Sequence, residues 1–275
     1  MPELPEVQTV IDTLKTLVLN KKIIDIKILY ENIIEGDRKE FKEKIVNHYI
    51  EDIKRRGKYL IFELNDDITF YSHLRMEGKY FVQDKNEPIN KHIHVIFEFD
   101  DGLELRYQDT RKFGRMALIK RDTDYKDFRG LGVEPFSDDF NFDYCKAYLK
   151  NKNKPIKTML LEQSFIAGIG NIYADEILFM MGVNPKRSAK DLSDENINDL
   201  IKYTREILAK AIKAGGSTIR SYTSSLGVTG LFQLSLNVHT KEGEKCPRCN
   251  QTIIKTVVGQ RGTYYCPGCQ KWELQ

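Results

Sequence analysis

Nowhere in this 275-residue chain do apolar residues run for the roughly 18 positions that a membrane-spanning helix requires. No basic, then apolar, leader precedes the acidic N-terminus either. The chain is therefore expected to be soluble and cytoplasmic, without a membrane partner. It also lacks a strong charge of either sign. Lys and Arg number 43 against 40 Asp and Glu, a net +3. So even a balance says nothing for or against nucleic acid, and any such partner has to be argued from where the basic residues lie. Cysteine is scarce and unevenly placed. Of five, four stand in two C-x-x-C pairs near the C-terminus, and Cys145 is alone among helix-like residues. In a reducing compartment such pairs fit metal binding better than disulfides, and Cys145 reads as a small buried hydrophobe. No internal repeat is present, and the length allows about two domains and a real core.

What is present starts at residue 2. Met1-Pro2-Glu3-Leu4-Pro5-Glu6 places a proline beside a carboxylate and then begins a helix. If Met1 is removed, Pro2 carries a secondary amine that can attack a carbon electrophile and form an iminium. An α-amine titrates near ~7.7–8.0, against ~10.4 for lysine, so a useful fraction is neutral at physiological pH. The plain alternative is a helix start, with Pro5 in the first turn and Glu3 and Glu6 at the positive end of the dipole.

Val7, Val10, Ile11, Leu14, Leu17 and Val18 keep helical spacing, which predicts an amphipathic helix over 5–19. Strand-like runs follow at Ile24–Ile28, Tyr59–Leu64, Ile68–Leu74, Lys79–Val82, Ile93–Phe99, Leu103–Tyr107 and Met116–Ile119, with Asp101-Gly102 as a hairpin signal. A β-sandwich packed against an N-terminal helix is the expected architecture. Residues 120–138 lose the alternation and suit a linker. From about 139 to 214 the period is helical again, and Ile197, Leu200, Ile201, Thr204, Leu208 and Ala211 trace one face of a long helix ended by Gly215-Gly216. Residues 217–230 are rich in Ser, Thr and Gly and are expected to be a mobile loop.

Cys246-x-x-Cys249 and Cys266-x-x-Cys269 have the spacing of a four-cysteine zinc ribbon, a closed and therefore structural site. Arg261 lies midway between the knuckles, where a hairpin turn is expected, with Lys255 and Arg248 nearby; a metal-stapled arginine is placed to grip phosphate, or is simply solvated. The basic run Lys54-Arg55-Arg56-Gly57-Lys58 offers phosphate contacts or a solvated face. His73–Gly78 and Asp109–Gly114 look like strand-end loops. Met76 and Phe113 would ordinarily be core, but Phe113 beside Arg111 and Lys112 has the make-up of a wedge that unstacks a duplex. Gly168-Ile169-Gly170-Asn171 opens a helix, whose N–H groups and Asn171 could bind phosphate, or whose Asn171 could cap it.

In this order the motifs PELPEV, RRGKYL, SHLRMEGKY, DTRKFG, GIGNIYADE, a GGST-containing loop and a CxxC…GT-YYCPxCQ ribbon resemble the formamidopyrimidine-DNA glycosylases, also called MutM. The resemblance covers essentially the whole chain. It implies an α+β multidomain fold: a catalytic β-sandwich with a packed N-terminal helix (1–130), a linker (131–138), a helix–two-turn–helix domain with a lesion-capping loop (139–230) and a zinc finger (231–275). It implies a bifunctional glycosylase and abasic-site lyase that excises oxidised purines from duplex DNA in base excision repair, in a monomer holding one structural zinc. By resemblance Pro2 is the nucleophile at C1′ and Glu3 the acid/base; Lys58 acts beside them near the lesion backbone, and Glu6 supports the site. Met76, Arg111 and Phe113 fill the gap left by the flipped base, Arg111 facing the orphan cytosine. His92, Lys157, Asn171 and Arg261 contact DNA. Ser217, Thr218, Ile219, Arg220, Ser221 and Tyr222 begin the capping loop. Cys246, Cys249, Cys266 and Cys269 hold zinc. Leu4 favours this branch over the endonuclease VIII branch, which acts on oxidised pyrimidines and is the nearest alternative. A non-catalytic zinc-ribbon DNA-binding protein is the other, although a binder has no use for Pro2 and Glu3. The chain departs from the family pattern at His239-Thr240, where Tyr-Gly is usual, and at Asn250 and Gln260, where glycine is usual. These changes are expected to bear on the finger's turn and the aim of Arg261.

Overall fold

The computed structural model describes residues 1–120, 128–217 and 231–272. The chain divides into two compact units, Met1–Tyr125 with Ala214–Leu231, and Lys126–Lys213 with Phe232–Gln275.

The first unit opens with helix α1 (Leu4–Val18). Leu4, Val7, Ile11, Leu14 and Val18 recur at steps of three and four, and none is more than 1% exposed. The helix starts on a capping box in which the Glu3 side chain accepts from the Glu6 backbone and Glu6 Oε2 accepts the Glu3 N–H at 2.9 Å. Strand β1 (Ile23–Ile28), helix α2 (Arg38–Ile45) and strands β2 (Ile50–Arg56), β3 (Tyr59–Leu64), β4 (Thr69–His73), β5 (Lys79–Asp84), β6 (Ile93–Phe99), β7 (Leu103–Gln108) and β8 (Arg115–Ile119) follow. They form two four-stranded antiparallel sheets, in the orders β1-β6-β7-β5 and β2-β3-β4-β8. α1 packs on β2. The sheets share one core, where Phe62 stacks on Phe70 at 4.6 Å and Phe70 on Phe97 of the other sheet at 5.6 Å. This is the helix-backed sandwich that the alternating runs predict. Gly102, at φ +84°, makes the expected β6–β7 turn.

Two elements escape the sequence pattern. β2 hides because a bulge between Ile50 and Asp52 breaks the two-residue period, so that Ile50, Ile53 and Arg56 point inward at every third position. α2 has only Phe41 and Ile45 on its buried side, and its start rests on Asp37 Oδ1 accepting the Glu40 N–H at 2.9 Å.

The second unit holds helices α3 (Phe142–Leu149), α4 (Ile156–Leu161), α5 (Asn171–Met181) and α6 (Asp194–Lys213), then the hairpin of β9 (Ile254–Val258) and β10 (Arg261–Tyr265). α6 is the long amphipathic helix expected near 197–214, with Ile197, Leu200, Thr204, Leu208 and Ala211 buried. α5 is buried on every side except at Asn171 and Met180, which makes it the axis of the unit. Cys145 is a buried thiol that desolvation pushes up to about 12, an inert hydrophobe as expected.

Candidate active site

Pro2 is buried at the head of α1, with Glu3 at 3% and Glu6 at 6% exposure. Glu6 holds two segments at once. Its Oε2 fixes the Glu3 backbone, while its Oε1 accepts the Ser217 N–H at 2.7 Å and the Ser217 hydroxyl at 2.9 Å. Gly216, at φ +76°, lies against it so closely that a Cβ would come within 3.0 Å of the carboxylate. Ser217 is thereby pinned to α1; Thr218, Ile219, Arg220, Ser221 and Tyr222 lie outside the described residues.

The chain's α-amine sits on Met1 here, one residue ahead of Pro2, which carries it once Met1 is removed. Burial pushes this amine below its ordinary 8.0, against the opposing pull of Glu3 and then Glu6; Lys58 adds to the lowering and Glu77 opposes it. Lys58 is 4% exposed and arrives on the two-residue turn between β2 and β3, where Gly57 takes φ +56°. Glu77 is a member of this group that the sequence did not single out. The rest of the basic run is engaged within the protein or buried: Lys54 pairs with Glu63 at 2.7 Å, Arg55 donates to Gln8 Oε1 at 3.1 Å and to the Gly57 carbonyl at 3.2 Å, and Arg56 is buried.

Two loops of the same unit present the wedge candidates. Met76 is 39% and Phe113 46% exposed, and the Arg111 guanidinium lies 4.7 Å over the Phe113 ring. The loops are joined by a Thr110–Glu77 hydrogen bond and share one floor, the Tyr107 hydroxyl. A Cβ on Gly78 would come within 2.4 Å of that oxygen and one on Gly114 within 1.7 Å, so both positions exclude a side chain. His92 is half-buried, and its carbonyl accepts the Asp109 N–H at 2.9 Å at the foot of the second loop.

In the second unit, Arg261 is exposed at the start of β10. It pairs with Val258 across a two-residue turn in which Gly259 has φ +54° and Gln260 φ +62°, the twist that suits a tight hairpin. Gly259 is obligatory, since a Cβ would meet Thr158 Oγ1 at 2.6 Å. The chain's departures from glycine behave alike: Thr240, Asn250 and Gln260 stand at φ +65°, +61° and +62°. They keep a left-handed backbone and add strain.

Lys157, expected to contact DNA, is fully buried in this structure. Its Nζ donates to the Gly262 carbonyl at 2.9 Å and to Thr263 Oγ1 at 2.7 Å, and it pairs in charge with Asp175 Oδ1 at 2.7 Å. Asn171 does not cap α5, whose N-cap is Gly170; its Nδ2 donates to the Gly262 carbonyl at 2.9 Å. Two buried carboxylates of α5 escaped notice in the motif. Asp175 also takes His239 Nδ1 at 2.7 Å, and Glu176 accepts the backbone N–H groups of Asn237, Val238 and His239, each at 2.9 Å. At the far end of α5, Arg248 donates to the Phe179 carbonyl at 2.9 Å and lies over the Phe179 ring. The ribbon is thus strapped along the whole of α5.

The four ribbon sulfurs lie within 4.8 Å of one another, with Cys246–Cys269 at 3.8 Å and Cys249–Cys266 at 3.3 Å. A tetrahedral zinc with Zn–S bonds of about 2.3 Å needs sulfurs about 3.8 Å apart, so the set fits the ion. A hydrogen bond from the Gln251 backbone, and then one from the Cys266 side chain, pulls the exposed Cys249 thiol down to about 7. The Arg248 N–H adds a bond of 3.4 Å to Cys246 Sγ, as thiolate ligands require.

Three family models match in succession: the formamidopyrimidine-DNA glycosylase N-terminal domain over residues 1–116, the formamidopyrimidine-DNA glycosylase H2TH domain over 131–223, and a zinc finger found in FPG and IleRS over 243–271. The chain belongs to the formamidopyrimidine-DNA glycosylase family. The formamidopyrimidine-DNA glycosylase of Ligilactobacillus salivarius is 48% identical over 272 residues, covering 98% of this chain and 99% of its own. A complex between a Lactococcus lactis FPG mutant and Fapy-dG-containing DNA superposes with a TM-score of 0.93 at 42% identity, covering 98% and 100% of the chains. MutM in complex with carbocyclic 8-oxo-G DNA gives 0.92 at 43%, with the same coverage. As in a closed four-cysteine site generally, the zinc of this family member is structural and leaves no position open for chemistry.

Proposed function

We propose that this enzyme removes oxidised purines, 8-oxoguanine and formamidopyrimidines, from duplex DNA and then cleaves the strand. The observation that carries the reading is the burial of Pro2 with Glu3 and Glu6 at the head of α1, in the unit that also buries Lys58. The neutral amine of Pro2 attacks C1′ of the everted nucleotide. The C1′–N bond breaks, and the base departs with the electron pair and a proton. Glu3, adjacent in sequence to Pro2 and fixed by the capping box, moves protons during attack and ring opening. The resulting iminium acidifies C2′; loss of a C2′ proton expels the 3′ phosphate, and a second elimination expels the 5′ phosphate. Lys58 serves the backbone next to the lesion. Met76, Arg111 and Phe113 fill the vacated stack, and Arg111 offers its fork of donors to the orphan cytosine. Arg261 and the second N–H of the Asn171 amide hold phosphates, and Lys157 positions the turn that carries them. His92 adds a DNA contact, and the protein works as a cytoplasmic monomer. Zinc supports the ribbon and takes no part in bond making.

Borohydride reduction during reaction with an 8-oxoguanine duplex should give a protein–DNA adduct whose linked peptide begins at Pro2. An adduct on Lys58 or another lysine rejects the assignment. A wild-type Lactococcus lactis FPG, 42% identical, has been solved with oxidised-pyrimidine DNA. The same assay therefore includes a thymine glycol duplex; faster trapping there than on 8-oxoguanine supports the pyrimidine reading instead.

A further inference from the structure

The turn between β7 and β8 carries two exposed groups, Arg111 and Phe113, on a backbone with Lys112 at φ +58°. A short exposed turn of this kind has no intrinsic reason to hold one shape. Here it closes around Asp109, which is fully buried. Asp109 Oδ1 accepts the Arg111 N–H at 2.9 Å, and Oδ2 accepts the N–H groups of Phe113 at 2.8 Å and Gly114 at 2.9 Å. The Tyr107 hydroxyl stands 3.4 Å from the same Oδ2. The main chain of Asp109 is anchored as well, its N–H on the His92 carbonyl at 2.9 Å and its carbonyl 2.7 Å from His94 Nε2. One carboxylate therefore gathers the amides of both probe residues, and Lys112 between them is forced into the left-handed region.

We infer that Asp109 is the positioning residue that aims Arg111 and Phe113 into the duplex, although it touches no DNA itself. The inference rests on the reading of Arg111 and Phe113 as the pair that fills the gap. Backbone hydrogen bonds to a buried carboxylate are charge-assisted and directional, and they fix Cα positions rather than side-chain rotamers. Their removal frees the turn while the sandwich beneath it stays paired. A group misplaced by about 1 Å can lower a rate by about 10²-fold.

The test is single-turnover excision of 8-oxoguanine opposite cytosine and opposite adenine, with Asp109→Ala made in the wild type and in an Arg111→Ala/Phe113→Ala background. In the wild type, excision opposite cytosine should fall about 10²-fold and the cytosine-over-adenine ratio should flatten. In the double-variant background the same change should move the rate by no more than about twofold, because no probes remain to be aimed. An equal loss in both backgrounds shows that Asp109 acts through the fold or the chemistry and overturns the inference alone. Normal excision by Arg111→Ala/Phe113→Ala overturns the pair reading and this inference with it. Should Asp109→Ala fail to fold, hydrogen exchange on the wild-type protein decides. The Arg111, Phe113 and Gly114 amides should exchange at least about 10-fold more slowly than that of Thr110, and equal rates refute the cradle.

Discussion

A nucleophilic amine works only when neutral, and the pocket around residues 1–3 is arranged to that end. Around the Met1 amine, desolvation disfavours the ammonium more than Glu3 and Glu6 stabilise it, and an amine on Pro2, which is itself buried, is expected to be lowered likewise. Reactivity is therefore present above the lowered value and lost as pH falls through it. The rate of borohydride-trappable intermediate should climb with a midpoint below pH 8 and level off at physiological pH; a midpoint above 8 contradicts the environment described. Glu3→Gln should bind lesion DNA normally and lose about 10²–10⁴-fold in excision. A single-turnover assay with a separate binding titration checks this, and near-normal turnover removes Glu3 from proton transfer. At Lys157 the sequence was legible for identity but not for burial. A lysine in a nucleic-acid enzyme reads as a phosphate ligand, but only packing reveals that this one is fully buried against Asp175. Lys157→Met leaves that carboxylate buried without its ammonium partner, with the His239 ring as its remaining side-chain contact. Stability in urea should fall by about 3–5 kcal/mol, while the salt dependence of DNA binding at low temperature should keep its slope. A slope reduced by about one unit restores Lys157 as a phosphate ligand.

At the level of elements, periodicity told the truth wherever the chain is regular. The stripes of α1 and α6 could be read directly, because one face of each is buried and the other is wet, and β3, β6 and β7 could be read as short β-branched and aromatic runs although they are buried on both faces. It failed at β2, where a bulge shifts the phase, and it could not see that Asp175 and Glu176 point into the protein, because a helix buried all round carries no polar side for contrast. Motifs filled part of that gap: the zinc ligands were legible from spacing alone, whereas Glu77, Asp109 and Glu176 act through local hydrogen bonds and leave no pattern. The left-handed positions lie between these cases. Thr240 and Gln260 occupy φ +65° and +62°, where an L side chain costs about 1–2 kcal/mol, while glycine gives back about 0.5–1 kcal/mol in unfolded-chain entropy. Thr240→Gly should accordingly stabilise by about 1 kcal/mol, the β-branched residue being the worst suited, and Gln260→Gly by somewhat less. Asn250→Gly should be neutral or unfavourable, since asparagine tolerates this region. Thermal unfolding of the zinc-loaded protein orders the three, and a uniform loss of stability shows that the side chains make contacts outweighing the strain.

Across the molecule, the division into two units parts the proposed site residues into two groups. The amine, Glu3, Glu6 and Lys58 belong to the sandwich unit; Arg261, Asn171 and the zinc ligands belong to the helical one. Within the helical unit the ribbon is no loose appendage. It meets the N-terminal end of α5 through Asn171, and neighbouring α4 through Lys157, both on the Gly262 carbonyl, and the middle of α5 through Asp175 on the Tyr264 N–H at 3.3 Å. In the last turn of α5 Arg248 holds the Phe179 carbonyl, and just beyond it Gln270 holds the Val183 carbonyl. Stripping zinc should therefore do more than unfold the ribbon. With Gly262 and Thr263 gone, Lys157 loses two of its acceptors beside a buried aspartate, and Arg248 leaves the end of α5. Chelation should speed hydrogen exchange in α5 together with β9 and β10, weaken binding to lesion and undamaged duplexes alike, and reduce the salt slope by about one unit as Arg261 is lost. None of the groups around the amine depends on zinc. At protein concentrations high enough to saturate an abasic duplex, Pro2 should still be trapped by borohydride. Protein stripped of zinc that keeps α5 protection and full affinity shows the straps to be incidental; loss of trapping at saturation shows that the metal reaches the chemistry after all.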